Sequence, residues 1–155
     1  MIIEIDEEKI KQSLLFLKKA SAKECVILWL AEKQKDLLIT QEVYLPEQVA
    51  DRDYFHIPRK SIADLLKHLR QHKLVVAAQV HTHPAQAFHS AADDRWAIIG
   101  HVGGLSLVLP YFASSISVHN FVAKTAIYRL SENSEWMQVP TRDARSYYRI
   151  VAHGN

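Results

Sequence analysis

The stretch LVVAAQVHTHPAQAFHSAADD, residues 74–94, holds a strand, a turn and the start of a helix in succession. Leu74 to His83 is rich in β-branched and small residues, and Pro84 ends the strand because proline has no N–H for the ladder. Ser90 with Asp93 three residues on is an acidic variant of the capping box, and it opens a helix whose apolar residues are Trp96, Ile98 and Ile99. His81 and His83 are two apart, so on a strand both side chains leave the same face, about 7 Å apart at the backbone. One loop later, the first turn of the helix returns Asp93 or Asp94 toward the strand end. Two imidazoles and a carboxylate grip one ion and leave a fourth tetrahedral position for water, the pattern of a catalytic rather than a structural zinc site. A metal lowers the pKa of such water from roughly 15.7 to about 7, which makes hydrolysis the natural reaction class. Either element alone is ordinary, since nine histidines produce a His-x-His pair by chance and Ser-x-x-Asp is a common cap. Their placement in one supersecondary unit is what points to a metal.

Upstream, Cys25 to Leu30 is a continuous apolar run that fits a strand buried on both faces, and Leu37 to Val43 is its partner across a turn at Lys33 to Asp36. Met1 to Ile5 alternates as a short strand. Asp6 then caps a helix carrying Ile10, Leu14 and Leu17 on one face, and Glu7 and Glu8 suit its first turn. Beyond Pro46 and Pro58, Lys60 to Gln71 places Ile62, Leu65, Leu66 and Leu69 at helical spacing. Downstream, Leu105 to Leu109, Phe121 to Leu130 and Glu135 to Val139 read as strands, the last two joined as a hairpin by Ser131 to Ser134. The expected architecture is α/β, with a mixed central β-sheet flanked by helices and residues 1–155 in one domain.

A chain of 155 residues, 48% hydrophobic and 23% charged, suits one compact core. Its single cysteine, Cys25, excludes an intramolecular disulfide and any structural site needing two thiolates, so a reducing compartment is the simpler reading. A net charge of +2, with Lys and Arg scattered, points neither to nucleic acid nor to an anionic membrane surface. The longest apolar stretch, Cys25 to Ala31, falls far short of the ~20 residues of a spanning helix. Met1 to Glu8 lacks the basic start and apolar core of a secretory signal, and a cytoplasmic protein is expected.

His81-Thr82-His83-Pro84 followed by Ser90-x-x-Asp93, with Glu24 at the head of the Cys25 to Leu30 strand, resembles the JAMM (JAB or MPN-plus) family of zinc metalloproteases, in particular its compact prokaryotic branch. The likeness covers most of the chain in order: helix, Glu-led strand, hairpin, helix, His strand, Ser-Asp helix and closing strands. It implies the cytidine-deaminase-like JAB/MPN fold and one zinc ion, Zn2+, held by His81, His83 and Asp93. It further implies that Glu24 deprotonates the attacking water and then delivers the proton to the leaving amine, while Ser90 hydrogen-bonds the developing oxyanion. Two departures stand out. Six residues separate His83 from Ser90 where seven are commonest, so the Ser-x-x-Asp relation selects Asp93 whereas counting from His83 selects Asp94. Ile27 and Ala31 occupy positions where the family usually has glycine.

The resemblance implies an isopeptidase or peptidase that cuts after the C-terminal tail of a ubiquitin-like or otherwise conjugated protein. Its companions would be activating (E1-like) and conjugating (E2-like) enzymes, including those of antiphage systems; the residues themselves imply only amide hydrolysis. An extended tail would add as a strand beside the cleft. One rival is a non-catalytic scaffold on the same fold, against which Glu24, both histidines, Ser90 and an Asp are all present. Another is the RadC-like branch linked to nucleic acid, against which stand Thr82, where that branch has Asn, and the lack of an upstream helix-hairpin-helix region. Among other residues, His89 and His101 read as surface or supporting positions, and Cys25 as an inert core thiol. Trp29, Trp96 and Trp136 read as packing residues, and Ser114 to Ser117 as a mobile loop beside the cleft.

Overall fold

A computed structural model of the protein describes residues 1–88, 90, 93 and 97–154. In chain order its main elements are β1 (Ile2–Asp6), α1 (Glu7–Lys19), β2 (Val26–Gln34), β3 (Leu37–Tyr44), β4 (Val49–Ala50), β5 (Phe55–His56) and α2 (Arg59–His72). There follow β6 (Val75–Thr82), β7 (Leu105–Leu109), β8 (Ala126–Leu130), β9 (Trp136–Val139) and β10 (Tyr148–Val151). Among the described residues, eight strands form one mixed sheet in the order β10-β1-β3-β2-β6-β7-β8-β9, and β4 and β5 form a separate small hairpin. The pairs β1/β10, β1/β3 and β6/β7 are parallel, and the others in the large sheet are antiparallel.

Strand β2 organises both layers. Its apolar run is buried on both faces, and alternate side chains enter different cores. Ile27, Trp29 and Ala31 face the layer built on Ile10, Leu14 and Leu17 of α1, with Phe121 and Tyr148 completing it. Val26, Leu28 and Leu30 face the layer built on Leu65 of α2 and on Phe55 and Ile57. The Asp6 carboxylate accepts the Lys9 N–H at 2.8 Å and starts α1, whose acidic first turn and basic last turn both complement the helix dipole. Helix α2 has no side-chain cap at Pro58 and stops at Lys73 in a left-handed conformation (φ 55°), where the Lys73 N–H returns to the Leu69 carbonyl. No helix among the described residues is long and apolar enough to cross a membrane.

Most of the predicted elements form; the helix expected from Ser90 lies largely outside the described residues, and Ile98 and Ile99, expected on it, are not helical. Two further differences stand out. The pattern predicts one strand over Phe121 to Leu130, but Phe121–Lys124 is a single helical turn and the strand begins at Ala126. Asn120 Oδ1 accepts the Ser117 N–H at 2.7 Å just ahead of that turn. This local cap wins over the β propensity of Phe121 and Val122, and the turn drives Phe121 against Trp29 and Tyr148. Second, Ile62 and Leu66 share the apolar spacing of α2 with Leu65 yet are exposed, because the sheet covers only part of that stripe. The hairpin β4–β5 and strand β10 go unpredicted: the first is two residues per strand, and the second gains its partner, β1, from the other end of the chain.

Trp29 is fully buried, and its indole N–H donates to Ser13 Oγ at 3.0 Å, while Ser13 Oγ–H donates to the Lys9 carbonyl at 2.8 Å. Ser13→Ala should therefore strand the indole N–H and lower unfolding free energy by about 1–3 kcal/mol in urea titrations. Leu15→Ser, on the exposed face of α1, should change it by less than about 0.5 kcal/mol.

Candidate metal centre

Strand β6 ends at Thr82, and the ligand loop that follows is held by main-chain hydrogen bonds. The His83 N–H donates to the Leu109 carbonyl at 2.9 Å, and the His83 carbonyl accepts the Phe112 N–H at 2.8 Å. The Phe112 donor belongs to an unusual turn: Tyr111, Phe112 and Ala113 all have positive φ, 51°, 53° and 60°. Left-handed backbone costs roughly 1–2 kcal/mol for each non-glycine residue. The surrounding contacts hold it there, including the Tyr111 N–H bond to the Ala85 carbonyl at 2.9 Å.

His81, His83 and Asp93 are buried and each offers a ligand atom, all within 4.8 Å of one another. The Nε2 atoms of His81 and His83 lie 3.2 and 3.0 Å from Asp93 Oδ2. Asp93 is itself positioned by Ser90 in a reciprocal pair: the Ser90 N–H donates to Asp93 Oδ2 at 2.7 Å, and the Asp93 N–H donates to Ser90 Oγ at 3.1 Å. The capping box read from the sequence is thus present, and the carboxylate that closes it is the one facing the two imidazoles. Asp94, the competing ligand by spacing, lies outside the described residues, as do His89 and Trp96.

Glu24 reaches the same place from the segment that leads into β2. The antiparallel ladder pairs Val26 with His81. Glu24 lies two residues ahead of Val26, just before β2 begins, and His83 two residues after His81, just past the end of β6, and Glu24 Oε1 is 4.0 Å from His83 Nε2. Burial pushes the Glu24 carboxyl up to about 7, with Asp93 and Asp53 adding to the rise and His83 opposing it. Asp93 goes the other way. Its burial favours a raised value, but hydrogen bonds from His81 and His83 and from the Ser90 N–H outweigh it and hold the carboxyl well below the usual carboxylate range. Two carboxyls that both approach His83 thus differ in proton affinity.

The donor set fits a divalent transition metal: two imidazole nitrogens and a carboxylate oxygen converge, no thiol competes, and three protein ligands leave room for a further one. Aromatic rings wall the centre, Phe55 5.4 Å from the His81 ring and Phe88 4.6 Å from the His83 ring, centroid to centroid. Beside Pro84 a hollow of about 480 Å³ is lined by Ser21, Ala22, Tyr111, Phe112 and Ser114. Within Ser114 to Ser117, Ile116 is buried and its carbonyl accepts a hydrogen bond from Lys18 Nζ.

His101 is exposed and lines a different hollow beside Met1 and Leu38. Cys25 is buried and its thiol is pushed up to about 11 by that burial, in keeping with an unreactive core residue. Trp29 packs in the core and Trp136 is half-buried in β9. Three supporting residues escape sequence reasoning. Buried Gln79, two residues before His81 on β6, accepts the Ile98 N–H at 3.0 Å and donates to Ser106 Oγ at 3.1 Å, tying the chain that leaves the site to the sheet. Thr82 Oγ1 accepts the Cys25 N–H at 3.1 Å, and the Gln48 side chain bonds to Val26. Each is a polar residue in an apolar surrounding, but only the folded chain supplies its partner.

Residues 8–117 match the family described as prokaryotic homologs of the JAB domain. Over 122 residues, 76% of this chain and 74% of the relative, the sequence is 33% identical to a protein of Sinorhizobium fredii (strain NBRC 101917 / NGR234) named "Probable metalloprotease y4jG". The solution structure of protein DSY2949 from Desulfitobacterium hafniense superposes with a TM-score of 0.69 at 16% identity, covering 98% of this chain and 94% of that one, and so shares the fold. With the sheet order, the His81–His83–Asp93 cluster and these matches in agreement, the chain belongs to the prokaryotic JAB-domain family.

Proposed function

We propose that this protein is a zinc-dependent peptidase of the JAMM type, an isopeptidase that hydrolyses the amide bond after the C-terminal tail of a ubiquitin-like or otherwise conjugated protein. The observation that carries the reading is a buried trio of metal-ligand atoms, from His81, His83 and Asp93, with an independent carboxyl, Glu24, entering from the facing strand. In this reading His81, His83 and Asp93 hold one zinc ion. When bound, such an ion acidifies water and polarises a carbonyl. The Glu24 carboxylate takes a proton from the water as its oxygen bonds to the scissile carbonyl carbon. The C–N bond then breaks as Glu24 returns that proton to the leaving amine. Ser90 Oγ already accepts the Asp93 N–H, so its own hydrogen is directed elsewhere and is available to the carbonyl oxygen as negative charge develops there.

The substrate class is the one that the likeness of the His81–Asp93 motif to compact prokaryotic JAB peptidases suggests, and the relative named as a probable metalloprotease supports peptide hydrolysis in general. We further propose that the protein acts as one domain over residues 1–155 in the cytoplasm. It would work there beside E1-like and E2-like enzymes, in a conjugation system of antiphage type, and reverse their conjugation.

Glu24→Gln should keep about one zinc per chain yet release a tail-linked fluorescent reporter 10²- to 10⁴-fold more slowly, a loss typical of removing a general acid/base. An undiminished rate would remove Glu24 from the chemistry. Chelation should abolish turnover and lower Tm, and added zinc should restore both, since a ligand that binds only the folded state stabilises it by about 2.7 kcal/mol at a hundred times its Kd. Metal analysis of Asp93→Ala should find the ion lost. Loss from Asp94→Ala instead would move the ligand assignment by one residue.

A further inference from the structure

The Glu24 end of β2 lacks a strand on one side. β3 accompanies β2 only to the pair Leu28 and Tyr44. Two steps further the same register sets Pro46 opposite Val26, and proline has no N–H to give to the ladder. The Gln48 carboxamide occupies that gap. Its Oε1 accepts the Val26 N–H at 2.9 Å, and its Nε2 donates to the Val26 carbonyl at 2.9 Å and to the Pro46 carbonyl at 3.0 Å. One planar amide thereby makes both hydrogen bonds that a paired residue exchanges across an antiparallel ladder. Along the same edge the Glu24 N–H donates to the Asp51 carbonyl at 2.7 Å. On the opposite edge the Cys25 N–H donates to Thr82 Oγ1, and the Thr82 N–H donates to the Cys25 carbonyl, both at 3.1 Å.

We propose that Gln48 is a positioning residue for Glu24: its side-chain amide extends the ladder past Pro46 and fixes the direction from which the Glu24 carboxyl enters the metal centre. The inference rests on the reading of Glu24 as the proton carrier. Gln48 touches none of the reacting groups itself; it acts through the main chain of Val26, two residues from Glu24. A carboxyl displaced by about 1 Å from its working position loses on the order of a hundredfold in rate without any change in substrate contacts.

The test is Gln48→Leu, which keeps the bulk and removes the hydrogen bonds, assayed with the tail-linked reporter. The rate constant kcat should fall roughly 10- to 100-fold with KM within about threefold of wild type and zinc content unchanged. Hydrogen exchange at the Val26 and Glu24 amides, read without any turnover, should quicken at least about tenfold. Gln48→Glu retains an acceptor for the Val26 N–H and should recover part of kcat; it also carries the comparison if the leucine variant fails to fold. In a Glu24→Gln background, Gln48→Leu should cost little more, because the two act as a unit. An unchanged kcat with a lower Tm, or a raised KM at constant kcat, overturns the proposal and leaves the function intact. Wild-type turnover by Glu24→Gln overturns the reading of Glu24, and with it the need to position that residue.

Discussion

Val26 lies opposite His81 across the antiparallel ladder of β2 and β6, and the rest of the site is built outward from that pair. Strand geometry then sets Glu24 beside His83, at 4.0 Å, although the two are far apart in sequence. The register is not continuous: it shifts by one between Trp29 and Leu30, where β6 carries an extra residue. A one-residue slip turns every side chain of a strand to the other face. The irregularity lets the far end of the strands and the pairing at the site take different phases, and a bulge near a functional site commonly has this use. On its other edge β6 is parallel to β7, and the Leu109 carbonyl and the Phe112 N–H hold the His83 main chain beyond the strand end.

Polar groups in such a place must be partnered, since burying a charge without compensation costs several kcal/mol. Here the partners are also the chemistry. Asp93 receives the Ser90 N–H and faces both imidazoles, so the bond pattern that caps the local turn also orients a carboxylate toward the candidate metal position. Among the described residues Glu24 has no comparable set of donors, and burial leaves its proton more tightly held than that of an ordinary glutamate. The difference in roles proposed for the two carboxyls therefore follows from which donors surround each. The two-layer core supports this arrangement. β2 sends Trp29 and its alternates to the α1 side and Val26 and its alternates to the side where Phe55 meets His81.

Much of this is legible in the sequence. The run Cys25 to Leu30 announced a strand buried on both faces, Asp6 a helix start, and His81 to Asp93 a strand, a turn and a cap, because each signal lies within a few residues of chain. The misread segment, Phe121 to Lys124, has strand-like residues but is governed by a cap contributed by Asn120 and by the aromatic space around Trp29. The left-handed turn at Tyr111 to Ala113 is invisible in the sequence, since none of its residues favours that conformation and the bonds to Ala85 and His83 that help to hold it come from another segment. Gln48 and Gln79 likewise look like ordinary polar residues until the strands they join are side by side.

The sequence by itself determined the kinds of element, their order and the inventory of chemical groups, because propensity, alternation and capping act over short stretches of chain. The tertiary structure alone decided which of those groups meet. Glu24 opposite His83, Gln48 in place of a missing strand, Thr82 against Cys25 and Tyr148 beside Ile3 all depend on registers between distant segments. Those registers are set by the joint packing of two cores against one sheet, a property of the whole chain that no local window contains.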